Sequence, residues 1–312
     1  MIYFLSCELV ENGGGIYAYN LVDNKLEKEK YYPCDRPMYA VRCERGLCVL
    51  LRKPFENSEH SGYFFIDENL QTASDIITTK GVVACHLCVD NKDVYTVNYL
   101  SGNIVKNGEI IAKRQGSSLH PTRQTEAHTH YINTTLDGYL AVCDLGTDIL
   151  AFYDKDLILI SEEKVNSGYG IRHLVFSNYS NYIYAVNELV PSISVFKYFN
   201  GKAKLLNTIK IDCEKEGANG AAIRLFEDGK YLVVSLRVEN ALCVYKVDGE
   251  KLTLIQKIDC GGDSPRDFAI IGDKIFICNE NSGNVTVFNI KNNLIDCKIC
   301  DIKIPKVLCV VV

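Results

Sequence analysis

The chain repeats itself about every 45 residues, and that period limits its architecture more than any other feature. Five segments read alike: "YTVNYLSGNIV" (95–105), "LAVCDLGTDILAFY" (140–153), "YAVNELVPSISVFKY" (184–198), "LVVSLRVENALCVYKV" (232–247) and "IFICNENSGNVTVFNI" (275–290). Each is an apolar strand, a polar turn and a second, alternating strand, which in the last four carries an aromatic near its end. Aligned on that strand–turn–strand pattern, Asn98, Asp144, Asn187, Leu236 and Asn279 share one position, at spacings of 46, 43, 49 and 43. A unit of this length cannot bury its apolar faces alone, and copies at this period mark four-stranded propeller blades. Weaker copies at 2–21 and 47–67 bring the number to seven in 312 residues. The links "LDGY", "EDGK" and "IGDK" carry the Gly and Asp that tight hairpins require. The expected fold is all-β: one seven-bladed β-propeller of four-stranded antiparallel blades, a single domain over residues 1–312.

Composition agrees with that reading and removes several functions. There are 19 Tyr and 12 Phe but only 7 Pro, a β-rich balance. A net charge of -5 argues against nucleic acid as a partner, and no apolar run approaches the length of a membrane-spanning helix. The opening "MIYFLSCELVENGGG" has no basic segment and carries Glu8 in its apolar run, so it does not read as a secretory signal. The 14 cysteines sit mostly in strand-like runs such as "RGLCVLL" and "KIFICNE", as buried thiols of a cytoplasmic protein would. "CHLC" (85–88) and "CKIC" (297–300) have zinc-knuckle spacing. Residues three apart on a strand face opposite sides, however, so no metal and no cofactor is expected.

The repeat register also predicts a site. The innermost strand of a blade starts at one mouth of the central channel, and the second strand returns to it. Strand starts thereby place Cys85, His130, Arg172, Ala221 and Arg266 at that mouth. Strand ends add Asn98 with Tyr99, Asp144, Asn187 with Glu188, Arg237, and Asn279 with Glu280. In "EAHTHYI" (126–132), His130 points into the mouth while His128 lies in the segment leading to it. The pair could converge on a metal with Glu126, but no further ligands stand at a suggestive spacing. His173 follows Arg172 along a strand and is expected to face its own blade.

Several of these stretches, "ACHLCVD" with "VNYLSGN", "RQTEAHTH" with "DLGTDIL", "IRHLVF" with "YAVNELVPSISVF", "SPRDFAI" and "IPKVLCV", resemble in order the bacterial 6-phosphogluconolactonase family of the seven-bladed lactonase type. That family is in turn similar to fungal carboxymuconate-lactonizing enzymes. The resemblance implies a site made of His130, Arg172, Glu188 and either Arg237 or Arg266. The chain departs from the family pattern at Ile171, where proline is usual, at Leu236, where asparagine is usual, and in a short loop ahead of the histidines.

Opening a lactone requires a base for water and stabilisation of the oxyanion that forms. His130 suits the first task and Arg172 the second, with Glu188 orienting a partner or serving as base itself. Arg237 and Arg266 are placed to hold a substrate phosphate, with Asn187, Asn98 and His128 as further substrate contacts. The expected partner is accordingly a small-molecule sugar lactone, phosphorylated, as in the pentose phosphate pathway. The bland readings are a bridge between blades for Arg266 and a salt bridge to Arg172 for Glu188. Two rival functions stand beside the first: a cycloisomerase or a lactonase for another lactone, and a non-catalytic propeller that binds proteins. The last lacks the Trp-Asp signature of WD repeats, since the chain has no Trp. No Gly-x-Ser-x-Gly elbow supports a serine hydrolase.

Overall fold

Every repeat closes into its own four-stranded antiparallel sheet, giving seven sheets in the computed structural model, which describes residues 1–312. The second to seventh blades run in chain order, with innermost strands at Pro37–Cys43, Ala84–Asp90, Thr129–Thr134, Ile171–Phe176, Asn219–Phe226 and Pro265–Ile271. The first blade is composite. Its innermost strand is the C-terminal Val307–Val311, paired with Ile2–Ser6 and followed outward by Gly15–Val22 and Lys25–Pro33. This pairing joins the two ends of the chain and closes the ring. The single helical piece is a 3-10 turn at Val10–Asn12.

Apolar residues on both faces of the inner strands give seven separate core clusters, one at each blade–blade interface. Outer strands such as Lys202–Lys210 and Lys251–Asp259 alternate half-buried and exposed residues, as edge strands facing water must. The cysteines are all unpaired, and Cys297 alone is exposed. Cys85 and Cys88 lie on one inner strand, and no group of three or more His, Cys, Asp or Glu side chains is placed to hold a metal.

The recurring Asn position is structural. Asn98 Nδ2 donates to Asn103 Oδ1 and Asn187 Nδ2 to Ser192 and Ser194, while Asn279 Nδ2 donates to Thr286. Each amide ties the end of a blade's second strand to the start of its third. Gly81 leaves room for this, since a Cβ there would lie 2.4 Å from Asn98 Cγ. In the sixth blade Leu236 occupies the position and packs into the core beside the fifth.

A β-bulge recurs near the start of every innermost strand. In the fourth blade Thr129 pairs with Asp144 and Tyr131 with Cys143, leaving His130 unopposed. Cys85, Arg172, Arg266 and Met38 are the unopposed residues of their own blades. Ala221 and Ala222 share the position in the sixth. Bulges re-aim side chains, and here they bring His130, Arg172 and Arg266 to the channel mouth.

Candidate active site

Glu188 is the hub of the mouth. It follows the second strand of the fifth blade, and its backbone is pinned to Gly170 O at 2.8 Å and to Gly220 N at 3.3 Å. Its side chain is 3% exposed and meets three guanidinium groups. Arg123 Nη2 reaches Oε1 at 2.6 Å, while Arg172 Nε and Arg237 Nη2 lie 2.8 and 3.1 Å from Oε2. Burial alone would raise this carboxyl, but Arg237, Arg172 and Arg123 outweigh it and hold Glu188 well below the usual carboxylate range. It is therefore a fixed anion and a poor base.

Arg172 is 2% exposed, and its Nη1 donates to Ala221 O at 2.6 Å. Burial, with Arg237 nearby, lowers its pKa, yet a guanidinium stays charged at any ordinary pH. Two of its donors are thus spent, and its place suits holding Glu188 better than touching substrate. Arg237 is more open, at 15%, and its Nε has no protein partner. Arg266 pairs with Glu280 of its own blade at 3.1 Å.

His130 is 5% exposed and its Nδ1 has no protein partner. Burial first, then the charge of Arg172, pushes the imidazole well below its ordinary pKa, with Arg266 and Arg237 adding to the effect. At neutral pH it is uncharged, so it keeps a free lone pair, and the same burial makes it a weaker base than a solvated imidazole. His128 does something different. Its ring stacks on Tyr99 at 4.3 Å with 5° between planes, and its Nδ1 lies 2.8 Å from Tyr99 O. Its backbone N–H is held by Asp144 Oδ1 at 2.8 Å. Gly146 has no side chain because a Cβ would lie 2.0 Å from Glu126 O.

The mouth thus brings together His130, Arg172, Glu188 and Arg237, with Arg266 near enough to act on the same charges. Three expected contacts fall away as direct ones. Asn98 and Asn187 are fully buried: Asn98 bonds Asn103 of its own blade and Thr79 of the second, Asn187 Nδ2 donates to Ser192 and Ser194, and the ring of His128 stacks on Tyr99. A fourth expectation is corrected. His173 does not face its own blade, because the bulge at Arg172 breaks the strand's alternation. Its ring sits in the channel, 5.2 Å from His130 and 5.3 Å from His86. Beyond it, at the other end of the channel, opens a cavity of about 520 Å³ lined in part by Tyr39, His86, Tyr131 and Arg224.

Arg123 was not legible by register, because it lies on the irregular loop between the third and fourth blades. Its only mark in the sequence is its place at the head of "RQTEAHTH". The adjoining Gln124 is fully buried and anchors the loop through Leu145 O at 2.8 Å.

A ring of seven sheets with a histidine and a buried carboxylate clasped by arginines at one channel mouth defines a propeller with a polar, enzyme-like site. The chain belongs to the family described as lactonase, 7-bladed beta-propeller, which it matches over residues 4–312. It is 34% identical to the uncharacterized protein YwcC of Lactococcus lactis, over 95% of this chain and 94% of that one. A solved structure from Lactobacillus plantarum superposes with a TM-score of 0.89 at 27% identity, covering 99% and 98% of the two chains. The periplasmic gluconolactonase PpgL of Pseudomonas aeruginosa shares the fold, with a TM-score of 0.87 at 19% identity over 99% and 98%. No helix is long and apolar enough to cross a membrane.

Proposed function

We propose that the protein hydrolyses a sugar-derived lactone bearing a negative charge, with 6-phosphogluconolactone of the pentose phosphate pathway as the substrate. The observation that carries this reading is the uncharged, buried His130 beside guanidinium groups held in place by Glu188. Membership of the lactonase family and the likeness to a gluconolactonase support the reaction class. The charge balance supports the anion: Arg123, Arg172, Arg237 and Arg266 face only Glu188 and Glu280.

In this mechanism His130 accepts a proton from water as its oxygen attacks the lactone carbonyl. Arg237, the more exposed of the two guanidinium groups on Glu188 Oε2, stabilises the oxyanion. As the ring C–O bond breaks, the imidazolium returns its proton to the departing alkoxide. Arg172 keeps Glu188 fixed, and Glu188 keeps Arg237 aimed. Arg266 lies to one side as a second cation for the substrate's anionic group. Fourteen unpaired thiols suit a reducing cytoplasm.

The test is hydrolysis of freshly generated 6-phosphogluconolactone, followed by acid release and corrected for spontaneous opening, with His130→Ala beside the wild type. Saturable turnover that disappears in the variant is expected. Equal rates in both proteins would remove His130 from the chemistry, and no rate above background would end the assignment to this substrate.

A further inference from the structure

Arg123 crosses the blade that carries His130. Its backbone belongs to the loop leading into the fourth blade, and its guanidinium reaches in two directions. On one side Nε and Nη2 both donate to Tyr99 Oη at 3.1 Å, on the third blade. On the other Nη2 donates to Glu188 Oε1 at 2.6 Å, on the fifth. The Tyr99 ring that holds it stands edge-on to His130, with centroids 5.9 Å apart. A molecule that brings a carbonyl carbon to His130 from the open mouth therefore lies against Arg123.

Among the three arginines on Glu188, this one is built to let go. Its side chain is 40% exposed, against 2% for Arg172 and 15% for Arg237. If it left, Glu188 would keep two cationic partners, so no buried charge would be stranded. The loop backbone would stay where Gln124 anchors it, leaving only a side-chain rotation to make. Tyr99, stacked on His128, forms a rigid post from which that rotation starts.

We infer that Arg123 is the specificity-determining residue of the site, a latch that exchanges Glu188 for an oxyanion substituent of the substrate distant from its lactone carbonyl. The inference rests on the lactonase reading for its substrate, but not for its geometry. A guanidinium offers two parallel donors to phosphate or carboxylate, and giving up one carboxylate for another anion keeps its charge compensated. A neutral lactone offers nothing to draw the latch away. It must bind beneath a closed Arg123.

The experiment compares 6-phosphogluconolactone with unphosphorylated glucono-1,5-lactone in wild type, Arg123→Met and Arg123→Lys. Loss of a charge-assisted contact predicts that the preference for the phosphorylated lactone, as a ratio of kcat/KM values, falls about 10- to 100-fold in Arg123→Met. The loss is expected mainly in KM, and Arg123→Lys should restore part of it. An unchanged ratio, with turnover intact, would overturn the latch and leave the lactonase standing. If neither lactone is hydrolysed by the wild type, calorimetric binding of the ring-opened acids, 6-phosphogluconate and gluconate, decides the matter. Selective weakening of the phosphorylated acid in Arg123→Met would then keep the latch while the proposed reaction falls, and equal affinities in all three proteins would overturn it.

Discussion

Glu188 Oε2 accepts a hydrogen bond from Arg172 Nε at 2.8 Å, and both side chains are all but sealed from solvent. Such a pair stabilises little against an apolar substitute, but removing one partner leaves uncompensated buried charge. Glu188→Gln should therefore lower stability by about 3–5 kcal/mol near neutral pH and abolish lactone turnover. The pH dependence has a definite sign. Glu188 has a folded-state pKa well below the unfolded value of about 4.3, so its contribution is complete above that pH and is lost as pH falls toward the folded value. Urea unfolding should show a wide gap between wild type and variant at pH 7 that narrows below about pH 4. A gap of constant width would contradict the ion cluster.

Three channel histidines act in the same direction at higher pH. Burial holds His86, His130 and His173 well below their ordinary pKa, with neighbouring arginines adding to it. The unfolded chain then takes up protons below about pH 6.5 that the folded one refuses, so stability is full above that pH and declines as pH falls below it. His173 has no protein partner at either ring nitrogen. Replacing it with Phe should leave the melting temperature at neutral pH at least as high as in the wild type, and should make the decline between pH 6.5 and 5 shallower. Melting curves across that interval check both outcomes.

The depressed basicity of His130 also shapes catalysis. If the neutral imidazole is the base, kcat/KM should hold as pH falls to about 6.5 and break only at a lower value. His130→Ala should cost about 10²- to 10⁴-fold in kcat and leave the folded structure intact by circular dichroism. An acid limb centred at or above pH 6.5 would point to another group.

The fold was legible because its information repeats, and most of the site because it breaks the repeat. Five aligned segments revealed the blade, and the same register put His130, Arg172, Glu188 and Arg237 at one mouth without any knowledge of contacts. Asn98 and Asn187 misled for the converse reason. A residue that recurs from blade to blade is more often structural than in touch with substrate, and the third-strand bonds of Asn98, Asn187 and Asn279, in three of the seven blades, are of that kind. Bulges were invisible, since one extra residue changes neither composition nor period. That is why His173 turned up in the channel. Arg123 was out of reach because a loop has no register, and its position follows from Gln124, Tyr99 and Glu188, which meet only in three dimensions.

The repeated asparagine supplies a prediction that separates structural from catalytic residues. Asn98 accepts from Thr79 Oγ1 at 2.7 Å and donates to Thr79 O at 3.2 Å and to Asn103 Oδ1 at 2.8 Å, all in a fully buried setting. Asn98→Ala would strand those groups, at about 2–3 kcal/mol of stability, while leaving kcat/KM near the wild-type value. The sixth blade should respond in the opposite sense to the same amide. Leu236 is fully buried among Val186, Ile223 and Leu232, so Leu236→Asn inserts an amide into an apolar cluster instead of restoring a tie. It too should destabilise. If Leu236→Asn raised the melting temperature, the position would be an amide site in every blade, and the account of Leu236 as core would fail.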